Sequence, residues 1–443
     1  MPIRRLLLEN YRGFRNRQEI ELAPITVVLG KNNSGKSALT RAPLMIATGF
    51  DTTSPSPLDL ERLGPDAVDD LRELYFDQLD VRPLTLGVTV DGPLPFTLRV
   101  DLEYSARLRN AVVAALRVDT DDSADPVGTV ELVSSRFTAP MPDTSDIDGV
   151  ELSTLPEPSV DGLDEYDIRI SGEPTRRRQV RFAGLLPAAG QLPDLDDLFR
   201  QVRPGLIRYL GPYRERVARQ HRMPIGTPAA LGTKGEGLAG LLADSQRKSD
   251  GRLLAQINAQ LREIVPGWRL EEVAAGPLWS TVLVRDGSRA RINLADAGSG
   301  LAQVLPILAQ CAMDELAGIT TAPPLQIIEE PEAHLHPRVH ADLADLYLRT
   351  AQRTGTRFLI ETHSETLLLR LRRRIAEVDN DYGPETVAIY VVEQHDGVSS
   401  ARRIPLDSLG NLDDSWPPGY FSQDYHEVRA LAAAQSERNA RAS

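Results

Sequence analysis

Hydrophobic runs alternate with amphipathic stretches at both ends of the chain. Near the start, an apolar run at 6–8 and a continuous β-rich run at 25–29 predict two strands. Further along, short apolar runs at 325–328 and 358–360 predict two more strands. The stretches with helical periodicity in this later region are 299–317, 337–352 and 364–377. Because strands and helices alternate here, we predict an α/β fold with a mainly parallel core sheet and crossover helices.

Between these ends the pattern changes twice. Over 84–188, β-type runs separated by links rich in Asp, Pro, Ser and Gly predict an antiparallel β insertion. Over 189–266, helical periodicity dominates and predicts a helical subdomain. We therefore divide the chain into an N-terminal half of the core (1–83), the β insertion (84–188), the helical subdomain (189–266), a C-terminal half of the core (267–378) and C-terminal strands with a tail (379–443).

Composition narrows the class of protein. The chain has 443 residues with 50 basic and 63 acidic side chains, which gives a formal net charge of −13. This balance argues against non-specific coating of nucleic acid or anionic lipid. Cys311 is the only cysteine, which excludes an intrachain disulfide and a cysteine-based metal cage. No apolar run approaches the ~20 residues that a membrane helix needs. We expect a cytoplasmic protein with no membrane partner.

The first chemical motif is a glycine-containing loop, GKNNSGKS, that follows the predicted strand at 25–29 and fits G-x-x-x-x-G-K-[ST]. Glycines let backbone N–H groups wrap phosphate oxygens, and the following helix adds the partial positive charge of its N-terminus. The candidate nucleotide-binding residues are Gly30, Lys31, Asn32, Asn33, Ser34, Gly35, Lys36 and Ser37. We expect Lys36 to reach the β- and γ-phosphates and Ser37 to hold Mg²⁺. A turn that matches by accident is the structural alternative, which the preceding strand disfavours.

A second motif places carboxylates at the end of a buried-type strand, in the segment LQIIEEPE at 325–332. Phosphoryl transfer needs one carboxylate directed at Mg²⁺ and a second that positions the attacking water. We assign Glu329 to the metal and Glu330 to the water. The alternative is a solvated acidic strand end. The presence of a phosphate loop in the same chain disfavours this alternative.

Histidines cluster after this acidic segment. His363 follows the predicted strand at 358–360, where an imidazole can hydrogen-bond a γ-phosphate, so we count it as a catalytic residue with Lys36 and Glu330. His336 and His340 lie four residues apart on a predicted helix, which raises a zinc alternative. The HExxH arrangement is absent and no third ligand is evident, so we favour polar packing for this pair.

A small, glycine-rich turn, Gly298-Ser299-Gly300, stands at the start of the predicted helix 299–317. A helix start of this kind can bind an anion. One chain needs one phosphate loop, so a second such site suggests a nucleotide held between two subunits. A plain N-cap turn is the structural alternative.

In combination and in order, these motifs resemble the ABC-type ATPase superfamily, in the branch that includes the SMC, RecF and OLD (overcoming lysogenization defect) proteins. By resemblance, GKNNSGKS at 30–37 is the Walker A loop and LQIIEE at 325–330 is Walker B. AGSGL at 297–301 stands in place of the LSGGQ signature, and His363 falls on the switch histidine. The resemblance implies a P-loop ABC-ATPase head with an antiparallel β insertion and a helical subdomain.

Further phrases refine this resemblance. NYRGF at 10–14 is similar to the opening of RecF- and OLD-type heads, which implies that Arg12 approaches the nucleotide. EEPEAHLHP at 329–337 is more similar to predicted bacterial AAA/OLD-like ATPases that lack the nuclease domain. Gln78 is the candidate for the metal-binding Q-loop glutamine. The sequence departs from the family where Glu329 replaces the usual aspartate and where His336 replaces the D-loop aspartate.

The resemblance implies ATP and Mg²⁺ as cofactors and a Mg-dependent ATPase. It also implies an ATP-closed homodimer, in which each nucleotide lies between one Walker A loop and the partner's signature, with a higher oligomer left open. The partner would be a nuclease or toxin effector protein, or DNA, in phage defence or DNA maintenance. Arginine runs are the candidate DNA contacts, with solvated faces or internal ion pairs as the alternative: Arg176–Arg178 and Arg181; Arg214, Arg216, Arg219 and Arg222; Arg370 and Arg372–Arg374.

Two other outputs compete with this one. The first is an ATP-dependent scaffold that holds a toxic effector and touches no DNA, for which the acidic insertion offers a protein-binding surface. The second, which the EEPEAHLHP phrase disfavours, is a transporter ATPase subunit with a separate membrane partner. A GTPase is excluded because no N-K-x-D element occurs. We expect no built-in nuclease, because OLD nucleases carry a further acidic domain after the switch histidine.

Overall fold

The computed structural model describes residues 2–51, 56–60, 68, 70–78, 82–91, 95–120, 128–137, 158–159, 162–201, 206–222, 230–248, 251–320, 322–378, 381–417, 429–431 and 435. Of residues 51, 201 and 248, only the backbone is described. Parts of the predicted β insertion and of the predicted C-terminal region lie outside the described residues.

The described residues form two kinds of regular element. The strands are β1 (Ile3–Glu9), β2 (Gln18–Glu21), β3 (Ile25–Gly30), β4 (Leu84–Val90), β5 (Phe96–Ser105), β6 (Asn110–Thr120), β7 (Val130–Ser134), β8 (Leu163–Ile170), β9 (Arg176–Ala183), β10 (Leu186–Pro187), β11 (Ile207–Leu210), β12 (His221–Arg222), β13 (Trp268–Ala275), β14 (Leu278–Arg285), β15 (Arg291–Asn293), β16 (Leu325–Glu329), β17 (Arg357–Glu361), β18 (Val387–His395) and β19 (Val398–Ile404). The helices are α1 (Lys36–Asp51), α2 (Asp196–Gln201), α3 (Leu238–Lys248), α4 (Arg252–Ile264), α5 (Ser299–Ala317), α6 (Pro337–Thr354) and α7 (Glu365–Ala376).

A six-stranded sheet forms the centre of the fold, in the order β11-β16-β17-β3-β18-β19. Its first five strands are parallel, and β19 runs antiparallel to β18. Every residue of β3 and β16 is buried, as expected for strands that are covered on both faces. The prediction of an α/β fold with a mainly parallel core sheet is confirmed. Because these strands point the same way, the carboxyl ends of β3, β16 and β17 meet at one edge of the sheet.

A second sheet is antiparallel and has nine strands in the order β10-β9-β8-β7-β6-β5-β4-β1-β2. Burial alternates along β5 from Phe96 to Tyr104, which is typical of a strand with one face on the core. The expected antiparallel β region is therefore present. The sheet also includes β1 and β2, so the apolar run at 6–8 pairs with β4 and lies outside the central sheet.

Two hydrophobic cores lie on opposite faces of the central sheet, because successive side chains of a strand point to opposite faces. Val28 and Ile327 pack on the face shared with α1 and the antiparallel sheet. Val27, Ile328 and Ile360 pack on the other face with α4, α5, α6 and α7. Within the described part of the chain, no helix is both long and apolar enough to cross a membrane.

The region 189–266 is less uniformly helical than its pattern predicted. It contains α2, α3 and α4, but also the short strands β11 and β12. β11 pairs in parallel with β16 and so extends the central sheet, whereas β12 joins a small antiparallel sheet with β13, β14 and β15. Strands of two to four residues are too short for a sequence period to reveal them.

Candidate nucleotide-binding site

The phosphate loop (Gly30–Ser37) connects the end of β3 to the start of α1. Its turn uses left-handed backbone at Asn33, with φ of 63°, and at Gly35, with φ of 103°. A Cβ on Gly35 would also lie 2.9 Å from the Ser399 hydroxyl oxygen, so glycine suits both the conformation and the space there. Ser399 belongs to β19 and is held in place by a 2.7 Å hydrogen bond from its N–H to the Gly13 carbonyl oxygen.

Lys36 is buried in this loop, and its ammonium group donates a hydrogen bond of 2.8 Å to the Lys31 carbonyl oxygen. Burial lowers the pKa of Lys36, and the charges of Glu361 and Glu330 partly oppose that shift. The ammonium group is therefore held by the phosphate loop and lies near two carboxylates, Glu361 at the end of β17 and Glu330 directly after β16. This is the environment that a phosphate-binding lysine needs.

Ser37 and Thr40 of α1 both contact Glu361, the last residue of β17. The Ser37 hydroxyl donates to Glu361 Oε1 at 3.0 Å, and the Thr40 hydroxyl donates to Oε2 at 3.2 Å. Burial, followed by the nearby charge of Glu329, raises the pKa of Glu361 to about 7. We did not predict this role for Glu361 from the sequence. The available clue was its position at the end of a buried-type strand, directly before Thr362 and His363.

Glu329, which we expected to face the metal, is held by a different partner. Arg41 of α1 donates from Nε to Glu329 Oε1 at 2.6 Å and from Nη2 to Oε2 at 2.7 Å. This hydrogen bond raises the pKa of Arg41, whose guanidinium also lies 5.7 Å from the centre of the Tyr209 ring. The carboxylate that reaches Ser37 is therefore Glu361 and not Glu329. The physical reason is that β17 lies between β16 and β3.

Glu330 follows β16 in left-handed backbone with φ of 44°, and its N–H donates to the Glu361 carbonyl oxygen at 2.8 Å. Its side chain is half-buried, and its charge acts on Lys36. The residue His363 is exposed as a whole, but its imidazole is partly shielded from water. This desolvation and the positive charge of Lys36 lower the pKa of His363. Lys36, Glu330 and His363, the three residues that we expected to be catalytic, therefore lie close enough for the charges of Glu330 and Lys36 to influence His363.

Arg12 and Gln78 lie together at a neighbouring cavity of about 350 Å³, which Glu73, Tyr75 and Asp77 also line. The Arg12 N–H donates to the Leu74 carbonyl oxygen at 2.8 Å, which joins the NYRGF segment to the turn that carries Gln78. Among the described residues, Gln78 forms no hydrogen bond or ion pair with Ser37 or Glu329. The structure therefore places Gln78 beside Arg12 and does not bring it into contact with the residues that we expected to share a metal with it.

The turn Gly298–Gly300 lies at the N-terminus of α5, with Gly298 as its N-cap. Gly298 and Ser299 are exposed. A Cβ on Gly300 would lie 2.8 Å from the His334 carbonyl oxygen, so α5 begins directly against the segment that follows Glu330. Among the described residues, this turn forms no hydrogen bond or ion pair with the phosphate loop of the same chain.

The two histidines of the zinc alternative make hydrogen bonds within the protein. His336 is the N-cap of α6, where Nδ1 accepts from the Arg338 N–H at 3.2 Å. His340 Nδ1 lies 2.8 Å from the Ser364 hydroxyl oxygen. Across the described residues, no group of three or more His, Cys, Asp or Glu side chains is placed to hold a metal ion. These observations agree with polar packing for this pair.

Most arginines of the candidate DNA-binding runs have partners within the same chain, either buried or at the surface. Arg214 is buried, and its Nη2 donates to the Glu329 carbonyl oxygen at 2.9 Å, which contradicts its assignment as a surface contact. The others with partners are Arg176 with Glu173 and Asp194, Arg177 with Asp167, Arg219 with Asp296, Arg370 and Arg374 with Asp345, Arg373 with Glu377, and Arg372 with the Gly410 carbonyl. In the described part of the chain, four exposed members have no recorded ion pair: Arg178, Arg181, Arg216 and Arg222.

Family models match three parts of the chain. Residues 1–55 match a family described as "AAA ATPase domain", and residues 154–370 match one described as "AAA domain, putative AbiEii toxin, Type IV TA system". The nucleotide-binding core is similar to AAA ATPase domains. Residues 383–431, which include β18 and β19, match a family described as "Protein of unknown function (DUF3696)". The first two matches contain the phosphate loop and the acidic strand end, so both halves of the site lie in ATPase-type segments.

Solved structures with similar folds include SMC heads. An SMC head bound to the C-winged helix domain of ScpA has 14% identity and a TM-score of 0.47, covering 92% of this chain and 98% of its own. The SMC head domain from Thermotoga maritima has 12% identity and a TM-score of 0.42, covering 92% and 100%. The head with an extended coiled coil from Pyrococcus furiosus has 12% identity and a TM-score of 0.43, covering 91% and 96%. No curated protein matches this chain at a significant level.

Proposed function

We propose that this protein binds ATP together with Mg²⁺ and hydrolyses it. The observation that carries the proposal is the meeting of Lys36, Ser37, Glu330, Glu361 and His363 where β3, β16 and β17 end. Ligands of parallel α/β sheets bind at the carboxyl ends of the strands. The match of both halves of the site to ATPase-type families supports the same conclusion.

The donors at this edge fit Mg²⁺. This ion is commonly held by one or two carboxylates and by the phosphates of a substrate, while it keeps several waters. Ser37 offers a hydroxyl and Glu361 a carboxylate at 3.0 Å from it. When bound, Mg²⁺ would neutralise charge on the β- and γ-phosphates.

The side chains of the chain itself then have defined tasks. The Lys36 ammonium exchanges its hydrogen bond to the Lys31 carbonyl for phosphate oxygens. Glu330 accepts a hydrogen bond from the attacking water and orients it. His363 donates a hydrogen bond to the γ-phosphate, where charge accumulates in the transition state.

We further propose a homodimer closed by two ATP molecules. In the turn Gly298–Gly300, the first two residues are exposed. The turn forms no hydrogen bond or ion pair with the described phosphate loop of its own chain. It offers the positive end of the 19-residue helix α5 to another molecule. A second copy of the chain would bring this turn to the nucleotide, as the resemblance to ABC-type ATPases implies.

For the output of this switch, we propose control of a protein effector, a nuclease or toxin, in phage defence or DNA maintenance. The description of the family matched at 154–370, which names a toxin and a TA system, supports an effector of this class. Most candidate arginines form ion pairs or hydrogen bonds within the chain, which weakens the case for direct DNA binding. An OLD-like ATPase without a nuclease remains the finer family proposal.

The test of the central proposal is Mg-ATP binding by isothermal titration calorimetry, with hydrolysis measured by phosphate release. Lys36→Ala should lower ATP affinity at least tenfold and abolish hydrolysis, because it removes the cation inside the phosphate loop. Lys234→Ala is the matched control, since Lys234 is an exposed lysine outside the loop. Wild-type protein that binds no ATP, or equal affinities for the two variants, would overturn the proposal.

A further inference from the structure

The two carboxylates at the ends of β16 and β17 are neighbours in register, Glu329 beside Glu361, and both are directed at α1. Resting on the proposed ATPase function, we infer that Glu361 takes the metal-side position expected of Glu329. Glu329 instead acts as the structural anchor of Arg41. The carboxylate on the metal side is thus provided by β17, the neighbour of β16, and not by β16 itself.

Glu329 has no oxygen left to turn toward Ser37 without a large cost. Both of its carboxylate oxygens accept from the planar guanidinium of Arg41, in the bidentate arrangement that is the strongest arginine–carboxylate geometry. The Glu329 side chain is 2% exposed. Turning it away would break two charge-assisted hydrogen bonds and leave the partly buried Arg41 charge uncompensated.

Elements on other sides keep this pair in place. The Tyr209 ring of β11 lies against the Arg41 guanidinium, and Arg214 donates to the backbone carbonyl oxygen of Glu329 itself. The pair therefore joins α1 to β16 and β11. We call the Arg41–Glu329 pair a structural clamp, because it holds these elements together. The opposite charges of the two side chains neutralise each other.

Glu361 has the opposite character. Its hydrogen-bond donors are the neutral hydroxyls of Ser37 and Thr40, which rotate freely about their C–O bonds. When the Ser37 hydroxyl donates its proton to Glu361, the lone pairs of the Ser37 oxygen remain available to a cation. Glu361 thus orients the one side-chain hydroxyl of the phosphate loop that is placed to bind Mg²⁺, and its charge is not cancelled by an arginine.

The experiment measures metal binding separately from turnover. Mn²⁺ replaces Mg²⁺, and its binding in the presence of a non-hydrolysable ATP analogue is followed by electron paramagnetic resonance. Glu361→Gln should weaken Mn²⁺ binding 10–100-fold, the usual effect of losing a group that orients a metal ligand. Affinity for the same analogue in EDTA should stay within about threefold of wild type.

Two comparison variants make the result specific to Glu361. The double variant Arg41→Gln, Glu329→Gln removes both charges of the clamp, so that neither is left without its partner, and it should keep Mn²⁺ affinity within about threefold of wild type. Glu361→Asp retains the charge but withdraws it by one methylene, so it should weaken Mn²⁺ binding by less than Glu361→Gln. It also serves as the test if the glutamine variant does not fold.

The outcomes separate this inference from the proposed function. Wild-type affinity for Mn²⁺ in both Glu361 variants would overturn the inference alone. A double variant that loses Mn²⁺ as strongly as Glu361→Gln would also overturn the inference and leave the proposed function standing. Wild-type protein that binds neither the analogue nor Mn²⁺ would overturn the proposed function, and the inference with it.

Discussion

The backbone N–H of His363 donates a hydrogen bond of 2.6 Å to Glu332 Oε1. The other oxygen of the same carboxylate accepts from the Thr362 hydroxyl at 2.7 Å. Glu332 lies two residues beyond Glu330, so it ties the segment after β16 to the loop that carries His363. This half-buried side chain therefore joins the segment that carries Glu330 to the loop that carries His363.

Removing this tie should slow turnover more than it weakens binding. We expect Glu332→Ala to lower kcat of ATP hydrolysis about tenfold with KM nearly unchanged, because His363 loses its position and not its chemistry. Steady-state kinetics measure both constants. Glu377→Ala, which removes a surface ion pair with Arg374, is the control and should behave as wild type. An unchanged kcat in Glu332→Ala would contradict the positioning role.

The proposed water-orienting role of Glu330 makes a different prediction. Glu330→Gln keeps the size of the side chain but removes the proton acceptor, so hydrolysis should fall about 100-fold or more. ATP binding should persist, and the variant should accumulate as an ATP-bound dimer. Light scattering coupled to size-exclusion chromatography measures the dimer, with and without ATP. Glu131→Gln, on the antiparallel sheet beside Arg169, is the matched control. Hydrolysis at the wild-type rate would remove Glu330 from the mechanism.

A buried carboxylate that is not among the proposed nucleotide-binding residues should make stability depend on pH. Burial raises the pKa of Glu272 on β13 from its ordinary 4.5 to about 7, and the Thr281 hydroxyl, at 2.6 Å, partly opposes that shift. His221 lies 3.9 Å away, and burial lowers its pKa. Because the pKa of Glu272 is higher in the folded protein than in the unfolded chain, this group stabilises the folded protein fully below about pH 4.5. The stabilisation is lost as the pH rises through about 7.

Glu272→Gln should remove this dependence, since the amide stays neutral and can still accept from Thr281. At pH 8 we expect the variant to be more stable than wild type by up to about 3 kcal/mol, and at pH 4.5 the two should be similar. Urea unfolding at a series of pH values measures the difference. A variant less stable than wild type at pH 8 would show that the carboxylate is charged and well compensated in the folded protein.

The sequence pattern predicted the central elements well because they are long and strongly periodic. The helix predicted at 299–317 coincides with α5, and the buried-type run at 25–29 lies within β3. It could not predict which carboxylate meets Ser37. Ser37 and Glu361 are 324 positions apart, and their contact depends on β17 lying between β3 and β16. The burial of Arg214 could not be predicted for the same reason, since its partner Glu329 lies on β16, 115 positions further along the chain.

The packing of Ser399 against Gly13 and Gly35 has a consequence for the time at which the site is completed. The phosphate loop is synthesised well before Ser399, which emerges more than 360 residues later. Strands β17 and β18, the two neighbours of β3, also arrive late. At a translation rate of about 5–20 residues per second, the loop waits on the order of 20–70 s for these partners. A nascent chain therefore carries the motif without the strands that shape it until β17, β18 and Ser399 have emerged, so we expect nucleotide binding to begin only after that point.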